Sequence, residues 1–320
     1  PGGVRGDVPA DTGGVALPPL LEALHGRLRV LDEGVLDAEA LPGGLTNHNF
    51  KVTTRRGTYV VRLAGQTSDE LAIDRRNEYE NTLAAAEVGV GAPVVEHLEE
   101  PSVLVVGWIE GTTLSAELLR SGRYTARIAE ACRRLHSARR FLQDFDMFLL
   151  QRRYLSLVRA KGLRLPESYE RYEGQVRRME LAMAVRPERR VPCNNDLLAE
   201  NFIDDGERVW IIDYEYSGNN EPSFELGNIW SESALSLDEL EALVGAYYGR
   251  VSRAKVARAR LWGLMSKYGW TLWASIQDGL AEIDFDFWSW GMEKYERAVA
   301  EFEGPDFERL LEDVVSDEGA

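Results

Sequence analysis

Apolar and polar positions alternate over Asn49–Thr53 and again over Thr58–Leu63, on either side of Arg55-Arg56-Gly57. Period-two runs around a short polar turn predict a β-hairpin. Pro93–Val95 and Val103–Val106 are short β-rich runs and predict two further strands. Between the pairs, Asp69–Val88 predicts a helix with Leu71, Leu83 and Ala84 inward. Leu20–Leu31, entered after Pro18-Pro19, predicts a shorter amphipathic helix. The first 106 residues thus read as a small sheet carrying one long helix. From Leu114 the spacing predicts helices over 114–120, 124–141, 147–161, 166–184, 236–251 and 253–280. This helical region is interrupted between Val191 and Ser231. Two short apolar strands, Asn201–Ile203 and Val209–Ile212, flank the turn Asp204-Asp205-Gly206 there. No repeat of 20–50 residues is visible.

Composition narrows the functional classes. The chain has 320 residues, 44% hydrophobic and 28% charged. That suits two domains, or one large two-lobed one, with a real core. Lys and Arg number 37 against 53 Asp and Glu, a net charge of −16. Phosphate-rich surfaces would repel such a chain, so nucleic acid and anionic membranes are poor partners. A cationic small molecule suits it better. No apolar run is long enough to span a membrane. Pro1–Gly14, rich in Gly, Pro and Asp and without a signal-peptide pattern, predicts a disordered lead-in. Two cysteines and four histidines offer no zinc-type cluster with usable spacing, and a reducing, cytoplasmic location is the expectation.

Three constellations carry candidate chemistry. The first is Asn194-Asn195-Asp196-Leu197-Leu198-Ala199-Glu200-Asn201, followed by Ile211-Ile212-Asp213-Tyr214-Glu215. Phosphoryl transfer needs one carboxylate to orient and deprotonate the attacking hydroxyl. It also needs an Asn oxygen and an Asp to hold Mg²⁺ on the phosphates. Asn and Asp also favour turns and caps, but the joint spacing around a hairpin argues for chemistry. The second is Gly43-Gly44-Leu45-Thr46-Asn47 before a strand, with Arg62 at the end of the next strand and Glu78 on the helix beyond. Glycines let backbone approach phosphate, and a cation held by a helix carboxylate clamps nucleotides in kinases; a plain hairpin turn explains Gly-Gly equally well. The third is tryptophan: Trp262, Trp270, Trp273, Trp288 and Trp290 crowd one stretch. Such rings can bind an ammonium ion by their faces or simply fill a core.

Together these segments resemble the choline/ethanolamine kinase family, in the wider group that includes aminoglycoside phosphotransferases. Tyr59–Leu63, Asn77-Glu78, Trp108–Gly111, Cys193–Asn201, Ile212–Tyr216 and Trp270–Trp273 run in the family's order over roughly residues 40–300. The resemblance implies an α+β, two-lobed protein-kinase-like fold: a small β-rich N-lobe over 15–107, a hinge at 108–112 and a large, mostly helical C-lobe over 113–320. It implies ATP and Mg²⁺ as cofactors. Asp196 would be the catalytic base, with Asn201 and Asp213 as metal ligands. Gly44, Thr46, Asn47 and Arg62 would meet the phosphates, Arg62 pairing with Glu78, and Trp108, Ile109 and Glu110 would meet adenine. Glu215 would support the metal site. Trp270, Trp273 and Trp290, with Glu232, would wall a substrate ammonium pocket.

The implied activity is phosphorylation of a small amino alcohol, choline first and ethanolamine next, with thiamine- or aminoglycoside-type acceptors as further alternatives. The helical stretch 147–184 could supply acidic residues for an aminoglycoside: Glu167, Glu170 and Glu173. The chain departs from the family in three places. Asn194 stands where His is usual, which leaves open a nucleotide- or amine-binding pseudoenzyme. Glu225 stands where Asp is common. Ser231–Ala246 lacks an aromatic that choline kinases place there.

Overall fold

Residues 15–316 are described by the structure, a computed structural model; the expected lead-in over 1–14 lies outside the described residues. Two compact units divide the chain, Pro1–Leu63 with Val95–Trp108, and Ala64–Val94 with Ile109–Ala320.

The first unit is a five-stranded sheet with two helical turns, α1 (Pro19–Glu22) and α2 (Arg29–Asp32). Its strands are β1 (Val35–Ala40), β2 (Asn47–Thr54), β3 (Thr58–Ala64), β4 (Val94–Leu98) and β5 (Val103–Gly107). They lie in the order β1-β2-β3-β5-β4. Alternation puts Phe50, Val52, Val61, Val103 and Val105 on one buried face, against Leu21, Leu24, Leu28 and Leu31. The predicted helix over Leu20–Leu31 is corrected to these two turns, because the chain reverses through Gly26 at φ +74°. Strand β1 was not expected. Its Asp37 and Glu39 are exposed, which suits an edge strand.

The second unit begins with α3 (Arg75–Glu87). The Asp74 carboxylate accepts from the Arg76 and Asn77 amides, so the helix starts at that cap and not at Asp69. Buried hydrogen bonds tie α3 to the segment around Ser217: Asn77 Nδ2 to the Ser217 carbonyl at 2.8 Å and Asn81 Nδ2 to Ser217 Oγ at 3.0 Å.

After β6 (Thr112–Thr113) come α4 (Ala116–Arg120), α5 (Thr125–His136), α6 (Met147–Lys161) and α7 (Glu173–Val185). Four short strands follow: β7 (Val191–Cys193), β8 (Phe202–Asp204), β9 (Val209–Ile211) and β10 (Gly218–Asn220). The chain then forms α8 (Pro222–Glu232), α9 (Leu237–Tyr248), α10 (Arg253–Leu280), α11 (Phe287–Phe302) and α12 (Phe307–Val315). The predicted helix over 124–141 ends at His136. The one over 166–184 is a 3₁₀ turn, Tyr169–Tyr172, before α7.

Helix α10 is the axis of this unit, buried continuously from Ala257 to Gln277, with α6, α8, α11 and α12 packed on it. Gly227 of α8 lies so close to α10 that a Cβ there would stand 2.1 Å from the Ala259 carbonyl oxygen. Helices α8, α11 and α12 were not anticipated. Residues Ser223–Ser231 of α8 are all buried, so no polar face marks its period. Among the described residues no helix is long and apolar enough to cross a membrane.

Candidate active site

Strands β7 and β10 pair antiparallel, and the chain between Cys193 and Phe202 folds as a loop ending in a 3₁₀ turn, Ala199–Asn201. Glu225, in the first turn of α8 and fully buried, pins the start of this loop. Its carboxylate accepts from the Asn194 amide at 2.6 Å and the Asn195 amide at 3.0 Å. A buried carboxylate filled by two backbone donors is a charge-assisted anchor.

Asn195 sits at φ +68°, a region Asn tolerates better than most residues. Its side-chain amide donates to the Tyr216 carbonyl at 3.1 Å and accepts from Asn220 Nδ2 at 2.9 Å. Asn194 joins the loop to the segment carrying Asp213. It donates to the Asp213 carbonyl at 2.7 Å and to the Ile212 carbonyl at 3.2 Å, and its Oδ1 accepts from the Asp196 amide at 3.0 Å. An imidazole at this position could not make all three bonds, since it has two nitrogens and no second amide hydrogen.

These bonds present Asp196, half-buried in the loop. Burial first, then the carboxylates of Glu232, Asp213 and Glu215, push its pKa well above the ordinary value; Lys294 opposes the rise. Asn201 gives its Nδ2 to the Asp196 carbonyl at 2.7 Å, which orients the amide and turns its Oδ1 away from that bond. Asp213 follows β9 and takes φ +63°, an uncommon conformation for a non-glycine residue that clusters at functional sites. Asn201 and Asp213 supply hard oxygen donors of the kind Mg²⁺ prefers, beside the Asp196 carboxylate. The mutual repulsion that raises Asp196 is what a divalent cation would relieve, so this set fits Mg²⁺.

Arg75 was missed in the sequence. It donates to Glu78 at 2.7 Å and reaches Glu215 at 3.5 Å, and two of its nitrogens bond Ser68 Oγ. Its side chain is 14% exposed, against 4% for Glu78 and 6% for Glu215. It therefore bridges two nearly buried carboxylates. The i,i+3 spacing to Glu78 is visible in the sequence; the link to Glu215 is not.

In the sheet unit, Gly44 lies at the β1–β2 turn, where a Cβ would stand 2.4 Å from the Asn47 carbonyl oxygen. Asn47 is buried and donates to Thr46 Oγ1 at 3.0 Å. Arg62 lies on β3 opposite Leu104 of β5. The Trp108 amide donates to the Thr58 carbonyl at 3.0 Å, and Lys51 Nζ stands 4.4 Å from the centre of the Trp108 ring. Ile109 and Glu110 begin the second unit's long segment.

The tryptophans separate into two roles. Trp273 donates to the Tyr216 hydroxyl at 2.8 Å, and Trp270 meets the Tyr216 ring edge-on at 4.9 Å. Both are buried. Trp290, which packs on Trp273 at 5.4 Å, lines a cavity of about 220 Å³. Leu198, Ala199, Glu200, Glu232, Glu293, Lys294 and Arg297 also line it. Of the four residues expected to wall an ammonium pocket, Glu232 and Trp290 are thus at the cavity. Trp270 and Trp273 are not among its lining and pack on Tyr216. Lys294 forms an ion pair with Glu232 and lies over the Trp290 ring. Glu170 and Glu173, considered for an aminoglycoside, pair with Arg159.

Packing brings together a group that spacing along the chain does not show. His136, Cys193 and Glu225 come together below the loop, ligand atoms within 4.8 Å of one another and all buried. These donors do not fit a metal. Glu225 is engaged by two backbone amides. Burial, reinforced by Glu225, pushes the Cys193 thiol well above its usual pKa, and its sulfur lies 3.6 Å from the Asn220 carbonyl oxygen as a hydrogen-bond donor. His136 Nδ1 is hydrogen-bonded to the Tyr247 hydroxyl at 2.6 Å.

Residues 38–244 match the family model described as choline/ethanolamine kinase. A choline/ethanolamine kinase family protein from Mesorhizobium loti superposes with a TM-score of 0.81 at 31% identity, over 92% of this chain and 98% of that one. Choline kinase LicA from Streptococcus pneumoniae gives 0.74 at 27%, over 88% and 97%. A LicA complex with AMP gives 0.69 at 25%, over 88% and 96%. Mouse ethanolamine kinase 2 is 28% identical over 262 residues, 72% of this chain and 66% of the mouse protein. With the family model matched over residues 38–244, on a kinase-like α+β fold, the chain belongs to the choline/ethanolamine kinase family and is a phosphotransferase with an alcohol acceptor.

Proposed function

We propose that the chain catalyses ATP- and Mg²⁺-dependent phosphorylation of the hydroxyl of a small amino alcohol, in a reducing cytoplasm. The observation that carries this reading is the loop presenting Asp196, anchored by Glu225 and tied by Asn194 to the segment bearing Asp213. Asp196 accepts the acceptor's hydroxyl proton and aims the oxygen. Asn201 and Asp213 hold the metal, and Arg75 keeps Glu78 and Glu215 in place. When bound, Mg²⁺ would neutralise and orient the phosphates. In the sheet unit, the Gly43-Gly44 turn, Thr46, Asn47 and Arg62 serve the phosphates, and backbone at Trp108 serves the base; in the helical unit, Ile109 and Glu110 do the same for the base.

Asn194 supports an active enzyme over a pseudoenzyme, because it completes the loop's hydrogen bonding. Choline was favoured in the sequence by aromatic density. Trp270 and Trp273 pack on Tyr216 and do not line the cavity, so Glu232 and Trp290 are its candidate ammonium partners, which brings ethanolamine forward. A phosphate-transfer screen over choline, ethanolamine, its N-methylated intermediates, thiamine and aminoglycosides tests the reading, with Asp196→Asn as control. Transfer to an amino alcohol should fall about 10²–10⁴-fold in that variant. Absence of wild-type transfer to every amino alcohol would overturn it.

A further inference from the structure

Lys294 occupies the place where an ammonium ligand would be sought. Its residue is 5% exposed. Its ammonium pairs with Glu232 Oε2, and the Glu232 side chain is itself 5% exposed. The same nitrogen stands 4.1 Å from the centre of the Trp290 ring. Carboxylate and ring line one cavity together with Lys294. An acidic oxygen and an aromatic face are what a trimethylammonium requires, and the chain's own cation already has both.

What remains at the cavity has a different chemistry. Glu232 Oε1 is buried and has no hydrogen-bond partner. It can accept from an N–H donor, and a trimethylammonium has none to give. Glu200 and Glu293, also in the lining, add negative charge. Arg297 adds positive charge and gives one nitrogen to the Ser231 carbonyl at 2.8 Å. An alcohol whose nitrogen carries hydrogens can share Glu232 with Lys294. A quaternary nitrogen would have to displace the lysine, breaking a nearly buried ion pair.

We propose that Lys294 is the specificity-determining residue of the acceptor cavity, a built-in occupant of the cation position that selects amino alcohols with N–H donors over trimethylammonium alcohols. This rests on the reading of the chain as an amino-alcohol kinase. The test therefore uses binding, which needs no phosphoryl transfer. Calorimetric titration with methylammonium and with tetramethylammonium is run on wild type, Lys294→Met, Lys294→Gln and Lys294→Arg, each first checked by thermal melting.

Wild type and Lys294→Arg should prefer methylammonium. The two neutral variants should bind tetramethylammonium about tenfold or more tightly than wild type does, as Trp290 and Glu232 are released. Equal tetramethylammonium affinity in wild type and a folded neutral variant would overturn the proposal. Should neither neutral variant fold, the wild type decides: tetramethylammonium bound tighter than about 1 mM and tighter than methylammonium overturns it, and the reverse order supports it. If instead this binding pattern holds but no amino alcohol is phosphorylated, the kinase reading fails while the role of Lys294 stands.

Discussion

Replacing Glu225 by Gln should damage both stability and turnover. The native carboxylate is fully buried and accepts from the Asn194 and Asn195 amides at 2.6 and 3.0 Å. Hydrogen bonds to a charged group contribute about 1.5–3 kcal/mol each, so the anchor is worth roughly 3–6 kcal/mol at most. Gln keeps one oxygen acceptor and turns an NH₂ toward the other amide, so one bond becomes neutral and one buried N–H loses its acceptor. A neutral bond retains about 1 kcal/mol, which leaves a loss of roughly 2–5 kcal/mol. Removing a buried charge lowers the desolvation cost and draws the result toward the lower end. The Asn194–Asn195 segment leads directly into Asp196, and a displacement of about 1 Å at a reacting group can cost about 10²-fold in rate. Urea unfolding and kcat should be measured on the same preparation, with Glu225→Asp alongside. Asp keeps the charge on a shorter arm and should lose less of both. A Glu225→Gln enzyme with unchanged midpoint and unchanged kcat would refute the anchoring argument.

Asp213→Ala should weaken Mg-ATP binding as well as turnover, and calorimetry showing unchanged affinity with unchanged metal dependence would remove Asp213 as a ligand. Gly227→Ala puts a methyl group against the Ala259 carbonyl, so α8 and α10 must separate; a loss of about 3 kcal/mol or more in chemical unfolding is expected, and a loss below about 0.5 kcal/mol would show that the crossing yields easily. Arg127 holds Asp204 with two bonds, at 2.8 and 2.6 Å, and its hydrogen bonds keep the Asp204 pKa below the ordinary value. That stabilisation is present above the unfolded pKa of about 3.9 and is lost as pH falls through the folded one. With Arg127 one-third exposed, Arg127→Ala should cost about 1 kcal/mol at pH 7 and less at pH 3; a gap that does not narrow on acidification would contradict the assignment.

The candidate site loop could be picked out in the sequence because its parts are local. Asp196, Asn201 and Asp213 lie on one short run of strands and turns, where spacing along the chain translates into position with little help from the rest of the molecule. The sheet was legible for the same reason: antiparallel neighbours and a buried face leave a period-two record, as at Phe50 and Val52. The edge strand β1 left a weaker record, since most of its side chains face solvent.

The helical core is another matter. Helix α8 is buried on every side, so its sequence carries no stripe, and its crossing with α10 at Gly227 shows only when both helices are in place. The tryptophans were visible as a cluster, but their roles were not. Whether a Trp packs on Tyr216 or lines a cavity depends on how α10 and α11 meet. Glu225 and Asn194 looked like departures from a family pattern; their hydrogen bonds make them an anchor and a cross-link. The reaction class was readable from the chain alone, because the local motifs that resemble the choline/ethanolamine kinase family survive without the rest of the fold. The pairing of Lys294 with Glu232 waits on the tertiary structure. Lys294 and Glu232 stand on different helices, and a charge pair between distant segments leaves no periodic trace until packing closes it.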